Sequence, residues 1–99
     1  MDTGYFTSYT YKIMKIDFQH FKMFTDITRE HTDEIDIRRD FADLIYKGSN
    51  GVMALDIATR IYKSAGEVEF SAEESEFIYT FVSGTTPIFQ DSFRANASD

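Results

Sequence analysis

Residues 38–66, RRDFADLIYKGSNGVMALDIATRIYKSAG, constrain the fold more than any other stretch of this chain. Two helical patterns flank a Gly-Ser-Asn-Gly turn, and each closes on Ile-Tyr-Lys, at 45–47 and 61–63. In the first, about Arg38 to Lys47, Phe41, Leu44 and Ile45 share one face opposite Arg39, Asp40, Asp43 and Lys47, the pattern of an amphipathic helix. Asp36 or Asp40 suits the N-terminal end of its dipole, Lys47 suits the C-terminal end, and Gly48 supplies a stop. The second, about Gly51 to Ser64 with Ser49 or Asn50 as cap, is polar only along Asp56, Thr59, Arg60 and Lys63, with Asp56–Arg60 a favourable i, i+4 pair. Its remaining positions from Val52 to Tyr62 are apolar or small, which predicts a central helix covered on several sides.

A helix pair around a Gly-containing turn is also the outline of a DNA-reading helix-turn-helix. That function needs cationic groups to displace counterions from phosphates, and this chain carries a net charge of −7. The excess lies almost wholly in the last third, where seven acids face the single base Arg94. The sequence therefore predicts a scaffolding αα-hairpin and no direct nucleic-acid binding. The short Ile-Tyr-Lys repeat reflects two helices that end alike, and it falls far below the length of a solenoid unit.

Downstream, Ala65-Gly66 ends the second helix and Glu67-Val68-Glu69-Phe70 forms an extended link. Ser71-Ala72-Glu73-Glu74 fits a capping box, with Ser at the N-cap and Glu three residues on. It opens a third helix to about Ser83 that packs through Phe77, Ile78, Phe81 and Val82. After Pro87, Ile88, Phe89 and Phe93 suggest one short helical turn, followed by a frayed tail over residues 95–99.

Upstream, Met14, Ile16 and Phe18 alternate with polar residues as in a half-buried strand, and Phe21, Met23, Thr25 and Ile27 continue the alternation one position out of phase. The shift predicts a bulge or a break between strands, with a helix over Phe18–Phe24 as the competing pattern. A polar connection at 28–31 joins the FKMFTDI run to TDEIDI as a β-hairpin, or else as an irregular loop. Residues 1–13 are either an extension ahead of a start at Met14 or an additional strand. The expected fold is thus α+β, one domain over residues 1–99, with an N-terminal hairpin or meander packed on a three-helix core.

No run approaches the length of a membrane span, and MDTGYFTSYTY lacks the basic and apolar regions of a signal peptide, so a cytoplasmic location is expected. The chain has no cysteine, hence no disulfide framework or thiolate chemistry. No phosphate-binding loop, Gly-x-Ser-x-Gly or His-x-x-x-His occurs. A metal site would have to join His20 and His31 across the hairpin with Asp26 or Asp33. No cofactor and no catalytic residue is expected.

Two sets of residues remain as candidate interaction sites. Glu67, Glu69, Glu73, Glu74 and Glu76 form an acidic run that either solvates a helix N-terminus or mimics phosphates in a nucleic-acid groove. Ten Phe and six Tyr are too many to bury in one small domain, so some of Tyr5, Phe6, Tyr9, Tyr11, Tyr79 and Phe89 are expected at the surface, where contiguous apolar area marks a partner or self-association site.

From Met14 onward, and most clearly in DIRRDFADLIYKGSNG…ALDIATRIYKSAGEVEFSAEESEFI, the chain resembles small uncharacterised proteins carried by bacterial phages and integrative elements. The resemblance rests on the Asp-x-Arg-x-x-Phe-Ala opening at Asp36, the Ile-Tyr ahead of the Gly-rich turn, and the Ile-Tyr-Lys-Ser…Gly close. It implies a mobile-element origin and assigns no residue a role. The expected function is a non-catalytic interaction or assembly module, self-associating or bound to other phage-type proteins. The alternative is an acidic inhibitor that occupies the nucleic-acid groove of a host enzyme.

Overall fold

A computed structural model describes residues 12–98. The strands are β1 (Met14–Asp17), β2 (Phe21–Phe24), β3 (Thr32–Ile35) and β4 (Glu67–Phe70), and the helices are α1 (Arg38–Gly48), α2 (Val52–Lys63), α3 (Ala72–Val82) and α4 (Pro87–Asn96). The fold is α+β, with strands gathered mainly at the N-terminal end and helices following.

The phase shift after Phe18 is a break. Asp17 accepts hydrogen bonds from the backbone N–H of Gln19 (2.9 Å) and of His20 (3.0 Å), which turns the chain out of β1. β2 then pairs with β3 as an antiparallel hairpin, Phe21 opposite Ile35 and Phe24 opposite Thr32. β1 does not join it. Its partner is β4, the segment expected as an extended link, with Met14 opposite Phe70 and Asp17 opposite Glu67. The alternation of Val68 and Phe70 with two glutamates was the strand signal there, because it lets one face meet the core while the other meets water.

The hairpin strands are shorter than the alternation implied, and the connection spans residues 25–31 rather than 28–31. Ile27 therefore stands in the loop, 88% exposed. The loop is held from within by Asp26, which accepts from the Glu30 N–H (3.3 Å), and from outside by Arg29, whose Nε donates to Asp91 of α4 (2.8 Å).

Helix ends follow local chemistry, with two corrections. Ser71 and Glu74 form the complete capping box at α3. At α2 neither Ser49 nor Asn50 caps the helix. The N-cap is Gly51, whose φ of 106° is a conformation open chiefly to glycine. Gly48 is not a stop but the last residue of α1, and a Cβ there would come within 2.8 Å of the Phe81 ring, so its role is close approach to α3.

The core is built from rings. Phe18, Phe21, Phe70 and Phe93 are fully buried together with Ile16, Ile45, Ile57, Ile61 and Ile78. Burying one such side chain contributes about 1.5–3 kcal/mol, so a few rings dominate a core this small. Phe93 meets Phe18, Phe21, Phe41, Tyr79 and Phe89 at centroid separations of 5.4–6.3 Å. Its carrier is not one short turn but the ten-residue α4, opened by Thr86, whose Oγ1 accepts from the Phe89 N–H, and by Pro87 at the first turn.

Residues 95–98 are docked rather than frayed; Asp99 lies outside the described residues. The Asn96 side chain accepts from the Lys22 N–H (3.0 Å) and donates to the Lys22 carbonyl (2.9 Å), as a backbone strand would. Ser98 exchanges backbone hydrogen bonds of 2.7 and 2.9 Å with Lys15 on the free edge of β1. No helix among the described residues is long and apolar enough to cross a membrane.

Candidate interaction surface

α1 and α2 pack antiparallel, with Phe41, Ala42 and Ile45 of one and Ala54, Ile57, Ala58 and Ile61 of the other turned inward. That arrangement covers one side of α2. The expectation of cover on several sides does not hold, because Val52 (85% exposed), Leu55 (54%) and Tyr62 (58%) project outward. Tyr46 of α1 (62%) stands beside them.

Tyr46, Leu55 and Tyr62 border a continuous line of shallow depressions along the seam between the helices. One, of about 270 Å³, lies between Asp43 and Tyr46 on α1 and Leu55, Thr59 and Tyr62 on α2. Tyr62 is shared with a second of about 390 Å³ that reaches Asp36, Arg38 and Arg39. Tyr46 and Leu55 are shared with a third of about 380 Å³ running to the Ser49-Asn50-Gly51 turn. The two tyrosines of the Ile-Tyr-Lys repeats thus mark the two ends of the central depression, each ring amphipathic and available for contact.

The polar residues of α2 divide by task. Arg60 faces away from the groove. Its guanidinium pairs with Asp56 (3.0 Å) and with Glu74, and stands 5.1 Å above the Phe70 ring, tying α2 to β4 and α3. Lys63 makes no ion pair among the described residues. At the mouth of the groove Arg38 holds Asp36 (2.7 Å) and donates from Nη1 to the Ser64 carbonyl (2.6 Å). The Arg38 hydrogen bonds keep the Asp36 carboxyl below its ordinary pKa.

The acidic run does not act as one set. Glu74 turns inward: burial resists its ionisation, but the Ser71 N–H and the Arg60 guanidinium outweigh that and lower its pKa. Glu67 and Glu69 are exposed on β4, and Glu73 and Glu76 are exposed on α3. Tyr79 is half-buried, with its ring edge-on to Phe93 at 5.4 Å, and Phe89 is likewise half-buried, stacked on Phe21. Tyr5, Phe6, Tyr9 and Tyr11 lie outside the described residues.

The histidines are not assembled into a site. His20 precedes the first pair of the β2–β3 ladder and His31 precedes the last, so they occupy opposite ends of the hairpin. Five residues at about 3.4 Å each separate them by roughly 17 Å, too far to share an ion. Each instead has its own carboxylate, Asp17 at 3.0 Å and Asp26 at 3.1 Å. No group of three potential ligands is gathered among the described residues.

Sequence reasoning passed over Tyr46, Val52, Leu55 and Tyr62. The signal was the apolar surplus of α2, which was assigned to burial when part of it faces outward. Comparison with protein-family models, with curated proteins and with solved structures found no match.

Proposed function

We propose that this chain is a non-catalytic protein–protein interaction or assembly module, an accessory protein of a phage or mobile element, with the outer α1–α2 face as its contact surface. The observation that carries the reading is the exposure of Tyr46, Leu55 and Tyr62 along one groove, with Val52 exposed on the same helix, while the core beneath is closed by fully buried rings. Exposed aromatic and aliphatic side chains grouped in this way are what a partner desolvates, and large aromatic residues supply most of the affinity in such contacts.

The acidic-inhibitor alternative keeps the exposed Glu67, Glu69, Glu73 and Glu76 but loses Glu74 to internal contacts. It is supported less well than the apolar face.

Leu55→Asp tests the reading. Placing a charge in the middle of the groove should weaken association with protein partners, including untagged copies of the chain, by at least about tenfold, equivalent to ~1.4 kcal/mol. The melting temperature should hardly change, since substitutions at exposed helical positions stay within about 0.5 kcal/mol. Co-purification of tagged wild type and variant reads out the first, and thermal melting the second. Undiminished association by the variant would overturn the assignment of this face.

A further inference from the structure

We infer that the occupant of the α1–α2 face is a second copy of the chain, docked through an antiparallel α2–α2 contact whose twofold axis passes at Thr59. The inference rests on the reading of that face as a contact surface and adds the partner and its register.

The outward residues of α2 are matched end to end about Thr59. Positions 55 and 62 lie to one side of Thr59 on the helix and positions 56 and 63 to the other, so reversing the helix direction about that residue sets Leu55 beside Tyr62 on one flank and Asp56 beside Lys63 on the other, each pair offset by a single residue rise of about 1.5 Å, and the twofold repeats both pairs. Leu55 then meets an aromatic ring on the groove side. On the other flank, an acid with 56% of its side chain exposed meets a lysine that has no ion pair among the described residues. Thr59, small and exposed, sits where two helices at a separation of about 8–10 Å need little bulk.

Charge also permits the contact. The chain carries −7, yet six of those units fall in residues 64–99, and no acid of that segment lines the groove. Residues 1–63 are close to neutral, and on the face itself Asp43 and Asp56 are balanced by Lys47 and Lys63. Two copies meeting through α2 therefore avoid stacking their acidic thirds.

The area suits a weak dimer. The exposed portions of Tyr46, Val52, Leu55 and Tyr62 come to on the order of 500 Å² per copy, taking ~150–250 Å² for a large side chain. Two copies together reach about 1,000 Å², the lower limit of specific interfaces.

Sedimentation equilibrium of the full chain from about 10 µM to 1 mM tests this, a range set for a weak complex. Wild type should show a concentration-dependent dimer. Lys63→Glu and Asp56→Lys should each raise its dissociation constant at least about tenfold by opposing like charges, and the double exchange should return it to within about threefold of wild type. Lys63→Glu breaks no ion pair among the described residues, and thermal melting of the variant checks that it stays folded. A monomer throughout the range, single reversals without effect, or a double exchange that fails to restore the dimer would overturn the inference. If the chain stays monomeric while Leu55→Asp abolishes binding of a different protein, the contact face stands and the self-pairing falls. If a dimer forms that neither Leu55→Asp nor the reversals disturb, both fall.

Discussion

Phe93→Ala should cost about 3–5 kcal/mol of folding stability, a large part of the ~5–15 kcal/mol available to a domain of this size. Phe93 is fully buried and its ring contacts five others, at 5.4 Å from Tyr79, 5.6 Å from Phe41 and 6.1–6.3 Å from Phe18, Phe21 and Phe89. Those rings come from α3, α1, the β1–β2 turn, β2 and α4, so the side chain joins α4 to two other helices and to the start of the β2–β3 hairpin. Truncation removes its transfer free energy and leaves a cavity whose aromatic walls cannot easily collapse. Urea unfolding should show the midpoint falling with little change of slope. Phe93→Leu, which keeps most of the volume, should lose far less. A loss below about 1 kcal/mol for the alanine variant would mean the ring cluster does not hold the layers together.

Ser92→Ala should cost about 1–3 kcal/mol although it removes a single oxygen. The Ser92 hydroxyl is fully buried, donates to the Ile88 carbonyl (2.7 Å) and accepts from the Phe24 N–H (2.9 Å). Phe24 ends β2, and its N–H points at α4 rather than into a ladder, so alanine leaves that donor facing apolar atoms. Thr80→Ala is the control. Its hydroxyl likewise donates to the carbonyl four residues back (3.1 Å), but at an exposed position. Water replaces that bond, and the loss should stay within about 0.5 kcal/mol. Equal effects at Ser92 and Thr80 would contradict the account of the α4–β2 seam.

Much of this architecture was legible because it is written in local patterns. The Ser71–Glu74 capping box, the alternation in Met14–Phe18, the i, i+4 Asp56–Arg60 pair and the hairpin over residues 21–35 each depend on neighbours in sequence. What stayed hidden depends on neighbours in space. Nothing near Glu67–Phe70 announces β1 as its partner, and nothing in the ANASD tail announces that Asn96 and Ser98 complete two strand edges.

The same distinction explains the site. Glu74 belongs to the acidic run in sequence but to Arg60 in space. Tyr79 and Tyr62 are similar in sequence context, each within an apolar helix; the packing of α4 against α3 sets the first edge-on to Phe93, while no element covers the second among the described residues. Periodicity counts how many faces of α2 are apolar. It does not say how many faces the rest of the chain reaches.

The contact face is tested most directly by where the chain can be crosslinked. A photoreactive amino acid placed at Leu55, and in a second protein at Glu76, reports what lies against α2 and against the acidic helix in the intact chain. The account predicts protein adducts from position 55, with a second copy of the chain as the species joined, and none from position 76. Adducts from position 76 with none from position 55 would contradict it and move the contact surface to α3.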